Sequence, residues 1–193
     1  MKHQNVRETL ITRAITVIAE KGLANTTTKA IVGDTGINEV YIYRQFSDKD
    51  DLLAHAFEVL DEELVECTLN NIPVMYQNDL PYEDRARRFF DTFWSFLMRN
   101  RNNCLAYVRY YYSPYYVQYS LKGHKERFLP VIEKFAPAFK DEADVWMILS
   151  HVLNIMLDFA VKAHNEEMPS EDNYEEHIFR VVYASIKQYF KNH

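Results

Sequence analysis

Residues 22–53 read GLANTTTKAIVGDTGINEVYIYRQFSDKDDLL, and their punctuation sets the fold. Thr26, Thr27 and Thr28 offer hydroxyl oxygens to the free N–H groups of a helix's first turn. Ala30, Ile31 and Val32 supply the apolar side of a helix of about two turns. Gly36 permits the positive φ that a sharp reversal needs. Asn38 then caps a second short helix, in which Val40, Ile42, Tyr43 and Phe46 alternate with Glu39, Tyr41, Arg44 and Gln45. Ser47 and Asp50 form a capping-box-like pair that opens a longer helix through Leu52, Leu53, Ala56, Phe57, Leu60 and Leu64. Short helix, glycine turn, short helix is the signature of a helix-turn-helix, whose second helix enters the DNA major groove.

On the N-terminal side, residues 4–21 predict an amphipathic helix with Val6, Leu10, Ile11, Ala14, Ile15 and Ile18 on one face. It would brace the helix-turn-helix. Lys2, His3 and Arg7 either reach a phosphate or minor groove, or belong to a frayed end; the frayed end is the simpler reading.

The chemistry of the motif suggests roles. Helix N-termini present free N–H groups to phosphates, so Thr27, Thr28 and the helix start at Lys49 are candidate backbone anchors. Lys29 and Lys49 add charge, and Tyr43 can donate its hydroxyl to a phosphate. Asn38, Glu39, Tyr41 and Arg44 are candidates for the exposed face. There Arg44 could read guanine, Glu39 could accept from cytosine, and Tyr41 could touch a thymine methyl. The alternative is that Thr27 and Asn38 are simply caps, and Tyr43 and Phe46 simply core.

Gly22 closing one helix, Thr27-Thr28 opening the next, Gly36-Ile37 at the turn, and then Tyr43, Phe46, Lys49 and Leu52-Leu53 together resemble a known pattern. It is the DNA-binding end of the tetracycline-repressor-like (TetR) family of bacterial regulators, over residues 8–54. Val40 and Tyr41 depart from the small residues often found inside that family's recognition helix, and Val32 from the usual alanine. The resemblance implies an all-α protein, with a helix-turn-helix head over 1–48 and a helical ligand-binding and dimerisation domain over 49–193. It further implies a cytoplasmic repressor that a small molecule releases from double-stranded operator DNA.

Net charge is −6, which alone argues against nucleic acid, yet residues 1–49 carry seven Lys/Arg against five Asp/Glu, so acidity lies further on. Cys67 and Cys104 match no metal or redox spacing. No apolar run reaches the ~18 residues of a membrane span, and the first 14 residues lack the apolar segment of a signal peptide. No cofactor, metal or membrane partner is expected.

The helix from Lys49 should run to about Asn71, and 72–81 reads as a proline-bracketed loop. Ala86, Phe89, Phe90, Phe93, Trp94, Phe96 and Leu97 mark a helix from Tyr82 to Arg99. Seven tyrosines fall between Tyr107 and Tyr119. Ser113-Pro114 reads as an N-cap with proline at the first helical position. A tyrosine cluster suits either a cavity for a small amphipathic or aromatic ligand or packing with wet hydroxyls. Candidate pocket residues are Phe93, Trp94, Tyr107, Tyr110 and Tyr111, joined by His151, Asn154 and Asp158 from the apolar helix at 142–163. His151 and Asp158 lie two turns apart, too far to share one metal; with Asp144 and Lys162 nearby, a solvated face is the competing reading. The last helix, through Ile178, Val182, Ile186 and Phe190, also has an apolar stripe wider than one contact needs, so the final two helices are the candidate homodimer interface. Two rival readings were weighed: a helical protein-interaction module without specific DNA binding, and a small-molecule-modifying enzyme. The enzyme finds no nucleophile elbow, Gly-rich phosphate loop or zinc spacing.

Overall fold

In a computed structural model of the chain, residues 3–33, 35–168 and 174–191 are described, with side chains from Val6 onward. Lys2 and the His3 side chain, both named above, lie outside them. The described residues form nine α-helices: α1 His3–Lys21, α2 Thr28–Val32, α3 Val40–Gln45, α4 Lys49–Asn71, α5 Tyr82–Arg99, α6 Arg101–Tyr111, α7 Leu121–Phe135, α8 Val145–His164 and α9 Tyr174–Ile186. The sole β element among them is an isolated antiparallel bridge between Phe139 and Phe190. The chain divides into two compact units, Met1–Glu63 with Asn102–Arg127, and Leu64–Arg101 with Phe128–His193.

In the first unit, α1 packs on α2 and α3. Its Leu10, Ala14, Val17 and Ile18 are buried with Ile31, Ile42, Leu52 and Leu53. Val17 and Ala19, off the expected stripe, are buried as well, so α1 is enclosed on more than one side. One reason is that α6 also reaches it: the Arg109 guanidinium donates to the carbonyls of Ile18 (2.8 Å) and Ala19 (2.7 Å) in the last turn of α1, where Ile18 also accepts from the Gly22 N–H (3.0 Å). Arg7 stacks 4.6 Å over the Phe46 ring, which gives this side chain a packed position.

α4 opens at Lys49 as the sequence suggests, but its capping residues lie one position later than the Ser47–Asp50 pair. Asp48 Oδ1 accepts from the Asp51 N–H at 2.8 Å, and Asp51 Oδ2 accepts from the Ser47 N–H at 2.8 Å. The reciprocal pair is therefore Asp48 and Asp51, because α4 begins at Lys49 and its third residue is Asp51. Ser113 also departs from its expected role: its hydroxyl donates back to the Tyr110 carbonyl at 2.6 Å, at the end of α6. Helix resumes at Pro114 and passes through a π-helical turn, Tyr116–Ser120, into α7.

In the second unit, α5 packs against α8 and α9. The expected loop after α4 holds a 3₁₀ turn, Ile72–Tyr76. Arg85 pins it, donating to the carbonyls of Leu80 (2.7 Å) and Met75 (3.3 Å). Phe90, Phe93, Trp94 and Leu97 from α5 meet Ile148, Met156 and Leu157 from α8 and Ile178, Phe179 and Val182 from α9 in the core. Asp144 caps α8, accepting from the Met147 N–H at 2.9 Å. By length and composition alone α8 is apolar enough to cross a membrane, although His151, Asn154 and Asp158 interrupt its apolar run. In this fold it buries Ile148, Leu153, Met156, Leu157 and Ala160.

Candidate nucleic-acid interface

The helix-turn-helix is built by its caps and glycines. Thr27 is the N-cap of α2, its hydroxyl accepting from the Ala30 N–H at 3.1 Å. Thr26 is buried, and its hydroxyl donates to the Gly22 carbonyl at 2.8 Å, so it secures the preceding turn. Gly33 ends α2 at φ 36° and Gly36 turns the chain at φ 72°, a region that side chains with a Cβ disfavour. Asn38 Oδ1 accepts from the Val40 N–H at 2.9 Å and starts α3.

On α3, Ile42 is fully buried against the head's core, which leaves the opposite face outward. That face presents Val40, 52% exposed, and Tyr43, 59% exposed, with Asn38 and Arg44 also exposed. Arg44 stacks 5.0 Å over the half-buried Tyr41 ring, which steadies the guanidinium while leaving its donors available. Tyr43 is thus not a core residue. Val40 was placed on the apolar side by its alternation with neighbours; in a helix of six residues the 3.6-residue period puts Val40 and Tyr43–Arg44 on one side.

Glu39 is half-buried, and its carboxylate accepts from the Thr28 hydroxyl at 2.5 Å, tying α3 to the start of α2. Lys29 is exposed beside that start. Lys49, half-buried at the head of α4, lies 5.7 Å over the Tyr115 ring and 3.5 Å from Asp50. Its charge is therefore shared with neighbours. The outward set can grip phosphates through Lys29, Tyr43 and helix N-termini, and can address base edges through Asn38, Val40 and Arg44.

The eight pocket candidates fall in both units. Tyr107, Tyr110 and Tyr111 are in the first, around Phe57, whose ring lies 5.0 Å from Tyr107 and 4.7 Å from Tyr110. All three hydroxyls are engaged internally, that of Tyr111 with Tyr116. Tyr110 pairs with Ser120 at 3.0 Å, and Tyr107 donates to Asp61 at 3.2 Å. Burial, and next the Asp61 carboxylate, push the Tyr107 phenol well above its usual range. Asp61 is 0% exposed and also accepts from His124 Nδ1 (2.8 Å) and Arg127 Nε (2.7 Å). Sequence reading passed over Asp61, although a carboxylate inside the Phe57–Leu60–Leu64 stripe was a visible signal.

Phe93, Trp94, His151, Asn154 and Asp158 belong to the second unit. Phe93 and Trp94 are buried; His151 and Asp158 are exposed, Asp158 in a 2.7 Å ion pair with Lys162. Of the eight, Phe93 lines a cavity in this unit. Two apolar cavities, of 50 and 40 Å³, share the walls Phe89, Phe135, Leu149, Val152 and Met156. Among the described residues no group of three or more His, Cys, Asp or Glu is placed to hold a metal.

Comparison with known proteins follows the same division. The sequence model of the family described as bacterial regulatory proteins, tetR family, matches residues 10–56. No curated protein matches the chain. Among solved structures, a TetR family transcription regulator from Marinobacter aquaeolei VT8 is similar with a TM-score of 0.70 at 12% identity, over 96% of this chain and 98% of that one. A TetR-like transcriptional regulator from Rhodococcus sp. RHA1 is similar with a TM-score of 0.66 at 18% identity, over 94% and 96%. The multidrug binding protein EbrR, complexed with imidazole, is similar with a TM-score of 0.68 at 16% identity, over 92% and 93%.

Proposed function

We propose that this protein is a ligand-responsive transcriptional repressor, a reading supported by the match of residues 10–56 to the tetR family of bacterial regulatory proteins and by the similarity of the whole chain's fold to such regulators. In this reading residues 1–48 read operator DNA, and residues 49–193 bind a small molecule and pair with a second copy. The observation that carries it is the outward face of α3, Asn38, Val40, Tyr43 and Arg44, held within the matched segment on a buried Ile42. Thr27, Thr28, Lys29 and Lys49 would supply the flanking phosphate contacts, and Glu39 and Tyr41 would position α2 and Arg44 beside them. That the similarly folded EbrR is a multidrug binding protein supports a small-molecule effector.

Pairing through α8 and α9 is supported by apolar residues left outside the core, Met147 at 57% and Val181 at 51% exposed. Two heads so joined would address half-sites about one helical turn apart. Effector release then needs unequal affinity for two states of the dimer, one of which fits the operator. A DNA-directed role places the protein in the cytoplasm. The test is binding of purified protein to the DNA upstream of its own gene, with excess random-sequence duplex as competitor. Retained binding that falls in Arg44→Ala supports the repressor; loss of all binding to competitor, there and on genome-wide fragments, would leave the interaction-module reading in its place.

A further inference from the structure

We infer that the first unit holds a binding site for a short aliphatic diamine, in a polar cavity between α4 and α7 that none of the roles above uses. The cavity has a volume of about 210 Å³. Asp51, Ala54, His55 and Glu58 form one wall, at i, i+3, i+4 and i+7 along a single face of α4. Gly123 and Arg127 of α7 line the other. Ala54 and Gly123 are the smallest of these residues and keep the middle of the cavity open. A Cβ at position 123 would come within 3.1 Å of Arg127 Nη1, so glycine there gives the guanidinium its place in the wall. At the roughly 30 Å³ that a water molecule takes in the liquid, the space suits a guest of about seven non-hydrogen atoms.

The wall offers mainly acceptors. Arg127 spends Nε on Asp61 at 2.7 Å and Nη1 on Glu58 at 3.2 Å, so two carboxylates already share its charge, and Asp51 adds a third. Asp48 and Asp50 act on Tyr119, a further lining residue, from the same side. His55 supplies an acceptor of another kind. Its Nδ1 lies 2.9 Å from the Asp51 carbonyl and 3.2 Å from Asp51 Oδ1. Both of those groups only accept, so Nδ1 carries the hydrogen and Nε2 of the neutral ring presents a lone pair. A guest must therefore bring donors and positive charge. A bare metal ion does not meet that need, because no three His, Cys, Asp or Glu among the described residues are placed to hold one. Asp51 and Glu58 stand two turns apart, ~10.5 Å along α4. A single ammonium reaches one of them, whereas an ammonium at each end of a short chain reaches both, with its methylenes over Ala54 and Gly123.

Isothermal titration calorimetry on the full-length protein tests this with 1,5-diaminopentane, pentylamine, pentanoate and Mg²⁺ at pH 8, where an ordinary imidazole is neutral. The diamine should bind once per chain. Pentylamine should bind about tenfold or more weakly for want of its second charged hydrogen bond, and neither pentanoate nor Mg²⁺ should displace the diamine. Glu58→Gln should bring the diamine down to the level of pentylamine. Ala54→Leu should fill the cavity and abolish binding, with Ala54→Val in its place if circular dichroism shows the first unfolded. Glu62 is exposed on α4 and lies outside the cavity lining. Glu62→Gln should therefore change nothing, which sets this site apart from general attraction to a chain of net charge −6. No diamine binding, equal affinity for pentylamine, displacement by an equal concentration of Mg²⁺, an equal loss in Glu62→Gln, or undiminished binding by Glu58→Gln or by a folded Ala54 variant would overturn the inference. None of these readouts involves DNA, so the outcome is separate from that of the repressor reading.

Discussion

Replacing Asp61 by alanine should be the most destabilising single change in the first unit. The side chain is 0% exposed and accepts from Tyr107 at 3.2 Å, His124 at 2.8 Å and Arg127 at 2.7 Å. Its removal leaves the Tyr107 hydroxyl in the core without its acceptor and takes from His124 the carboxylate at its Nδ1. Arg127 keeps Glu58 at 3.2 Å and is 19% exposed at its side chain, so it regains part of its solvation. Breaking a buried pair by removing one member costs about 3–5 kcal/mol; with Arg127 partly rescued, we expect about 3–4 kcal/mol. For a chain of this size that is a fall in Tm of roughly 6–15 °C. Urea unfolding followed by far-UV circular dichroism gives the free energy, and a mutant cycle gives its origin. Tyr107→Phe should cost about 1 kcal/mol in the parent and almost nothing once Asp61 is gone. A loss below about 1 kcal/mol for Asp61→Ala, on the scale of an exposed pair, would refute the idea that this network is a buried structural unit.

Further outcomes are expected. Arg44→Ala should lower operator affinity by about 1–3 kcal/mol and relax sequence preference, whereas Lys29→Ala should weaken all duplexes alike and reduce the salt slope by about one; quantitative band shifts at several salt concentrations distinguish the two. Met147→Asp combined with Val181→Asp should shift sedimentation equilibrium from dimer toward monomer with unchanged helicity, and an unchanged mass would move the interface elsewhere. The Cys104 thiol is pushed up by burial to about 12 from 9.0. The folded state therefore holds its proton more tightly than the unfolded state, so this contribution is complete below about pH 9 and is lost as pH rises toward 12. Tyr107 is raised by burial in the same direction. Unfolding free energy should fall through that alkaline window, and Cys104 should react with a thiol reagent at pH 8 after unfolding but not before.

Local signals carried the head of this protein. Caps and glycines act within a few residues, so Thr27, Gly36 and Asn38 declared α2, the turn and α3 from sequence alone. The bounds of α4 and α5 were equally legible, because Asn70-Asn71-Ile72-Pro73 and Pro81-Tyr82 punctuate them. The cap of α4 slipped by one residue, since Ser47, Asp48, Asp50 and Asp51 all offer oxygens and backbone geometry selects among them. Side-chain direction on α3 was misjudged at Val40, where alternation suggested burial and helical rotation gives exposure. Contacts distant in sequence were not legible. Nothing near Asp61 announces His124 or Arg127, and nothing near Arg109 announces the carbonyls of Ile18 and Ala19. The tyrosine cluster left a cavity and wet packing equally open, and the apolar cavities are walled mainly by phenylalanine and aliphatic side chains contributed from five separate helices and the C-terminal end.

The central claim is sequence-specific recognition of duplex DNA by the α3 face. Selection from a randomised duplex library, using the purified full-length protein and sequencing the retained DNA, tests it without knowledge of any operator. The account predicts enrichment of one two-fold symmetric motif, with half-sites about one helical turn or a multiple of it apart, and loss of that motif in Arg44→Ala. Retention of DNA without an enriched motif, or an identical motif from Arg44→Ala and Tyr43→Ala, would contradict it.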